Sequence, residues 1–400
     1  MRTGRQQGYA LLFMLIILVM GSLYGVVSQL DAATQKYGRS TATIQALALA
    51  KEALIGDAVS QSPVTSAGEL RLPDLGFGVG YTPKEGSSAP NFSGNNQDYS
   101  VVGKIPWKTL GIPPLRDEYG ECLWYAVSGR FKKNPQTSVL NWDTQGQIDV
   151  IDGNGSIIAS NVVALIAAAG PALDGQNRVS ADPAYTQCGG NYDVRNYLDS
   201  YDVSNAVSGQ VNYFAGSTNN RVALNSNNKQ FVATNGDHYN DRFLYMMVDD
   251  IFRPIIRRSD FATQISSLLD DSTFRTHLQS VVIAGSKGMD NVSCTNTSSS
   301  NTTFCTNWKE MLLLTQLSTP ASITLNGAAT SPCNRVLIFA GQKTGAQVRS
   351  STTDKADIAN YLESPNLAAF NVPTANSANF VGISTFAWNS PSTDLMRCLP

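Results

Sequence analysis

Histidine is nearly missing from this chain, with two in 400 residues. That leaves no paired imidazoles for a histidine-based metal site and little for an acid–base relay. Charge of either sign is also scarce, 15% of residues, where about a quarter is usual in soluble domains. Basic residues hold no excess, 29 Lys and Arg against 31 Asp and Glu. The counterion-release term that drives nucleic-acid binding is therefore weak, which argues against a dedicated nucleic-acid binder. No Gly-x-Ser-x-Gly elbow, Walker loop or Gly-x-Gly-x-x-Gly with a following acidic partner occurs. Nor is there a short Cys-x-x-Cys for zinc. What remains is 42% apolar residues, enough for a sizeable core. The polar surface must come from Ser, Thr, Asn, Gln and Gly, a composition at home outside the cell. The length suggests two to three domains.

The N-terminus sets the compartment. No charged residue lies between Arg5 and Asp31, and Tyr9 to Val27 is almost wholly apolar. At about 1.5 Å per residue a helix of that length crosses a hydrocarbon layer of roughly 30 Å. Arg2 and Arg5 keep the N-terminus cytoplasmic and turn everything after Asp31 outward. A cleaved secretory signal is the alternative, with Gly21, Ser22 and Gly25 as its small residues. From Leu30 to Ala58 there is no proline, and Ile44, Leu47, Ala50, Leu54, Ile55 and Ala58 form a helical apolar stripe. Lys51 intrudes on that stripe, its stem along apolar surface and its ammonium in water. The spacing thus predicts one rod from 9 to about 60, with a transmembrane half over 9–27 and an amphipathic half after it.

Basic leader, Gly8, aromatic Tyr9 and an uninterrupted apolar run resemble the prepilin-peptidase site of type IV pilins and pseudopilins. Further segments resemble large bacterial pilin-like proteins. They are Ala50-Lys-Glu-Ala-Leu-Ile-Gly56, Gly103-Lys-Ile-Pro-Trp-Lys-Thr-Leu-Gly111, and Leu115-Arg-Asp-Glu-Tyr-Gly120 through Leu123-Trp-Tyr-Ala-Val-Ser128. Together the resemblance covers roughly the first 170 residues. It implies removal of a leader over 1–8 after Gly8, methylation of the new amino group of Tyr9, and an α+β fold in which the rod packs on an antiparallel sheet. One departure is Phe13, where major pilins carry a glutamate at the fifth mature position. That carboxylate offsets the charged N-terminus of a neighbouring subunit, since an unpaired charge in apolar packing is costly. Its absence, and the large head, resemble the tip-capping class of minor pilins and pseudopilins.

Beyond the rod, a first head over 61–200 is expected. Leu123–Val127, Gln147–Ile151, Ser156–Ala159 and Asn161–Ala167 read as strands, with Asp152-Gly-Asn-Gly155 as a hairpin turn. Asp149, Asp152 and Asn154 lack the spacing of a calcium loop, so turn chemistry accounts for them. The chain then repeats itself. Gly170, Gln176, Arg178 and Asn196-Tyr-Leu198 are echoed by Gly341, Gln347, Arg349 and Asn360-Tyr-Leu362, each block preceded by an Asn-Gly turn. A second, duplicated α+β lobe over 201–400 follows, opened by an amphipathic helix from Asp241 to Leu269 that Pro254 kinks or breaks.

Six cysteines in an oxidising compartment should pair. Cys294 and Cys305 flank one loop and close most easily. Cys333 and Cys398 would tie the C-terminus to the second sheet, as the C-terminal disulfide loop of pilins does, leaving Cys122 and Cys188 for the first lobe. Fifteen connectivities are possible, so the even count is firmer than the pairing. His238 beside Asp237 and His277 near Arg275 read as surface residues, and Asp249-Asp250 as a solvated helix face pairing with Arg253.

The expected function is therefore a non-enzymatic minor pilin or pilin-like subunit at or near the tip of a type IV filament, acting in assembly priming and adhesion. No catalytic residue, cofactor or metal is assigned. The implied partners are other pilin subunits, the prepilin peptidase, the inner membrane before assembly, and a surface ligand or secreted cargo. A type II secretion pseudopilin, a DNA-uptake pilin and a membrane-anchored periplasmic enzyme are the alternatives.

Overall fold

The computed structural model describes residues 40–76, 85–91, 99–133, 139–180, 185–199, 206–207, 210–214, 229–233 and 239–400. Helix α1 runs over 40–60 and stops before Pro63, as the residue preceding a proline disfavours helix. Thr43, Leu47, Ala50, Leu54 and Ala58 are buried at steps of three or four residues, one face of a helix. Ile44, expected on this stripe, is 60% exposed, and Thr43 takes its place by accepting the Glu118 N–H at 2.9 Å.

In the first half, β1 (Ser100–Lys104) is followed by the single turn α2 (Trp107–Leu110), then β2 (Trp124–Val127), β3 (Ile148–Ile151), β4 (Ile157–Val162) and β5 (Ala164–Ala168). Next come β6 (Ala206–Val207), β7 (Gln210–Phe214), β8 (Lys229–Val232) and β9 (Arg242–Met246). Six of these strands form one sheet in the order β6-β7-β1-β2-β5-β9, and β4-β3-β8 form a second. Period-two alternation divides the large sheet between two cores. Tyr125, Val127, Ala164 and Ile166 face α1, while Trp124, Ala126, Leu165 and Ala167 pack on the small sheet through Ile148, Val150 and Phe231.

Four helices follow: α3 (Val248–Ile256), α4 (Ser259–Leu269), α5 (Ser272–Ser280) and α6 (Ser299–Trp308). After them lie β10 (Leu312–Ala321), β11 (Thr324–Leu325), β12 (Ala328–Ala329), β13 (Cys333–Phe339), the short helices α7 (Thr352–Ala356) and α8 (Asn366–Ala369), then β14 (Val381–Gly382) and β15 (Leu395–Leu399). The sheets here are β10-β13-β15 and β12-β11-β14. Asn326 and Gly327 both take positive φ, 50° and 79°, which is what the tight β11–β12 turn demands.

Two strand trios share order and register. Val127, Ala164 and Met246 lie abreast in one, and Gln316, Arg335 and Leu399 in the other. Three residues along, Trp124, Ala167 and Phe243 match Leu313, Ile338 and Met396. One apolar core nevertheless runs from Leu47 on α1 to Leu399 on β15, so the two halves share an interior.

These observations correct the expected fold. It is α+β, but among the described residues it has four sheets, two of them with a parallel strand pair, where one antiparallel sheet per lobe is expected from sequence. Among the described residues the first helix starts at residue 40, and no helix is long and apolar enough to cross a membrane. The stretch over 9–27 lies outside the described residues. The helix expected from Asp241 to Leu269 is a strand followed by two helices, because residues 242–246 pair with β5 and complete the first sheet. Pro254 sits inside α3, and the break falls after it at Arg257-Arg258.

Candidate functional site

Two features of the first half bear on function: the outer side of α1 and a buried polar cluster under one disulfide. On α1, Lys51 ties the helix to what lies beneath it, donating to the Tyr245 carbonyl at 3.1 Å and pairing with Asp250 at 2.9 Å. Its ammonium is thus held by protein and not by water. Asp57 pairs with Arg71 at 3.0 Å. The helix is fixed on one side. On its two flanks, Ile44 and Leu49 are 60% and 46% exposed, and Tyr119, next to the Glu118 that Thr43 holds, is 55% exposed. Three large apolar side chains around the start of α1 have no cover within the described residues.

The polar cluster is centred on Lys104, which is 1% exposed at the end of β1. Its ammonium donates to the Cys188 carbonyl and, at 3.1 Å, to that of Gly189. It stands 4.6 Å from the ring centroid of Tyr192 and 5.2 Å from that of Tyr197. Asp74 bridges to Lys104 through the backbone, and its carboxylate accepts the Gly76 N–H at 2.9 Å, the Gly86 N–H at 2.6 Å and the Tyr192 hydroxyl at 3.0 Å. Glu85 accepts the N–H groups of Gln187 and Cys188. The Cys122–Cys188 disulfide holds the 185–192 segment in place. Burial pushes Asp74 up to about 6, against the pull of its hydrogen bonds, and pulls Lys104 down to about 8. Among the described residues the cluster is internally satisfied, and it clasps loops to the sheet.

Arg178 lies on the far side of Tyr197, 5.1 Å from its ring, and donates to the Gly170 carbonyl at 2.6 Å and the Asn196 carbonyl at 3.0 Å. The second half repeats the arrangement: Arg349 is 4.3 Å from the Tyr361 ring and donates to Gly341 at 3.1 Å and Asn360 at 2.5 Å. Gln176 and Gln347 brace their arginines and reach Asp199 and Glu363 respectively. Glycine is required where the arginine reads a carbonyl beside a close crossing. A Cβ on Gly341 would sit 2.3 Å from the Ser392 backbone. The copies differ in the counter-ion. Arg178 faces a partly exposed Glu121 at 3.6 Å, whereas Arg349 pairs at 3.1 Å with Asp143, both side chains at most 2% exposed.

A second buried carboxylate, Asp394, precedes β15 and accepts the Asn366 amide at 2.8 Å. Burial also pushes it up to about 6. A carboxyl raised in the folded state contributes stability that is complete below its unfolded value near 4 and is lost as pH rises through 6. Asp74 and Asp394 therefore lower stability at neutral pH by on the order of 2 kcal/mol each. Asp193, Asp270 and Asp271, held below the usual carboxylate range, act only at lower pH. The melting temperature should fall between about pH 4 and about pH 6, and Asp394→Asn should flatten that fall. A flat wild-type profile would mean that both groups titrate normally.

The sequence-selected residues are placed as follows. Gly8, Tyr9, Phe13 and His238 lie outside the described residues. Disulfides join Cys122 to Cys188, Cys294 to Cys305 and Cys333 to Cys398. Asp152 holds its own turn, accepting the Asn154 and Ser156 N–H groups at 2.9 and 2.8 Å. His277 meets the Asn296 amide at 3.1 Å, and Asp249 pairs with Arg253 at 3.1 Å, while Asp250 turns inward to Lys51. None of these comes together with another as a reactive set. No family model, curated protein or solved structure matches this chain. Residue-level geometry must therefore carry the functional reading. Lys104, Asp74 and Asp143 were not singled out from sequence, since each stands among polar or turn-forming neighbours with no periodic signal.

Proposed function

We propose that the chain is a pilin-like subunit of a type IV filament, placed at or near the tip, and that it works by assembly and adhesion without catalysis. The observation that carries this reading is the asymmetry of α1. One face is locked to the head by Thr43, Leu47, Ala50, Leu54 and Ala58, while Ile44 and Leu49 stand exposed on the two flanks of that face. Apolar side chains left exposed on either flank of the helix suit packing between like subunits. The uncharged segment Tyr9–Val27 precedes it in sequence, behind a prepilin-type leader ending at Gly8. Before assembly this segment would hold the chain at the inner membrane with the head in the periplasm. Three disulfides fit an oxidising compartment. Phe13, in place of the glutamate that major pilins use, favours the tip over the shaft.

Mass spectrometry of the mature N-terminus tests the reading directly. The expected species begins with a methylated Tyr9, and an intact Met1 or a start beyond Ser22 would remove it. Recovery in sheared filaments is expected too. Loss of protein export on deletion, with no chain in filaments, would place it instead in a secretion pseudopilus.

A further inference from the structure

The two halves differ in what surrounds the cation on their repeated tyrosine. In the first, Lys104 is sealed by the 185–192 segment, whose Cys188 and Gly189 carbonyls accept hydrogen bonds from its ammonium. In the second, Lys287 comes from the loop beside β10, where its carbonyl accepts the Leu314 N–H at 2.9 Å, and reaches the equivalent ring, 4.3 Å from the Tyr361 centroid. Among the described residues its ammonium donates to a single acceptor, the Glu310 carbonyl at 2.9 Å. Lys287 also lines a cavity of about 760 Å3. That volume is in the range of small-molecule sites.

Val139, Met289, Val292 and Cys294 supply the apolar wall, and Lys287, Lys309 and Lys355 the positive charge. Lys355 is already spent on Glu310 at 3.0 Å. Glu310 in turn accepts the Tyr361 hydroxyl at 3.3 Å, so its carboxylate is occupied. Asp290 is the other acidic residue of the lining. Lys309 has no hydrogen-bond or ion-pair partner among the described residues. Two ammonium groups thus border an apolar space with donor capacity unused, whereas the first half satisfies its lysine with oxygen acceptors.

We propose that this cavity binds a small amphipathic anion, a carboxylate joined to an apolar body, with its oxygens taken by Lys287 and Lys309 and its body laid against Val139, Met289 and Val292. The first half's own carbonyls at Lys104 are the internal template for those oxygens. Burial pulls Lys287 down to about 8, a cost that a bound anion would offset. Site and filament membership are tested separately, because no residue of α1 lines the cavity.

Calorimetric titration of the full chain with phenylacetate and with phenylacetamide tests this. The two share one shape and differ in charge. The acid should bind saturably and about tenfold tighter than the amide, as a charge-assisted hydrogen bond implies. Lys309→Gln, at the half-exposed rim, should weaken the acid about tenfold and leave the amide unchanged. Lys287→Met should remove the preference altogether, and its melting curve shows whether it is folded. Equal affinity for acid and amide, no saturable binding up to about 10 mM, or acid binding unchanged in Lys309→Gln would each overturn the proposal.

Discussion

Asp143→Ala is expected to lower the unfolding free energy by about 3–5 kcal/mol, because it leaves the Arg349 guanidinium buried without its counter-ion. Both partners are at most 2% exposed, and their 3.1 Å contact joins residues from opposite halves of the chain. The carbonyls of Gly341 and Asn360 would still accept from the guanidinium, but neutral acceptors do not cancel a buried charge. Replacing both partners together, Asp143→Leu with Arg349→Met, should cost much less than either single change. The repeated site supplies the control. Glu121, partly exposed and 3.6 Å from Arg178, should cost at most about 1 kcal/mol when changed to alanine. Urea unfolding of these variants checks the series. Equal losses at Asp143 and Glu121 would refute the argument from burial.

Trp142→Ala should be comparably damaging, at about 3–5 kcal/mol. Its neighbour relations explain why. The indole comes from the loop before β3, yet its ring lies 4.7 Å from Trp308 on α6, 6.3 Å from Phe261 on α4, 6.0 Å from Phe339 on β13 and 6.4 Å from Phe386. Removing it opens a cavity at the meeting point of four second-half aromatics, each of which loses its edge or stacking partner. The indole N–H has no hydrogen-bond partner among the described residues. Trp142→Phe should therefore be mild, about 1 kcal/mol, since it trades volume for relief of an unsatisfied donor. If Trp142→Ala melts in two separated steps, the halves unfold independently once the plug is gone. A single shifted transition is the expected result.

Much of the strand content could be read from local pattern. Asp152-Gly-Asn-Gly155 does turn β3 into β4, with registers Ile151 to Ile157 and Ile148 to Val162. The Gln-x-Arg and Asn-Tyr-Leu repeats mark two places where an arginine reads a glycine carbonyl against a tyrosine ring. Their chemistry is local, so a short motif carries it. Sheet membership is not local. β4 and β5 are separated by Val163 alone, yet belong to different sheets, and no alternation of residues shows such a switch. Residues 241–246 carry apolar side chains that fit a helix face as well as a strand, and only the open edge of β5 decides. Trp142, Asp143 and Lys287 matter through partners more than a hundred, two hundred and seventy residues away respectively. Neither composition nor spacing holds information about contacts that distant.

Residues 139–144 reach across to the other half, where Asn141 donates to the Asn307 carbonyl at 2.9 Å and Leu140 N–H to the Asn307 side chain at 3.3 Å. A fragment beginning after β9 would thus start life with a missing tooth, its aromatic socket open and its arginine stranded. Supplied in trans as a short synthetic peptide, the 139–144 stretch should rescue such a fragment, in the manner of a key returned to its lock.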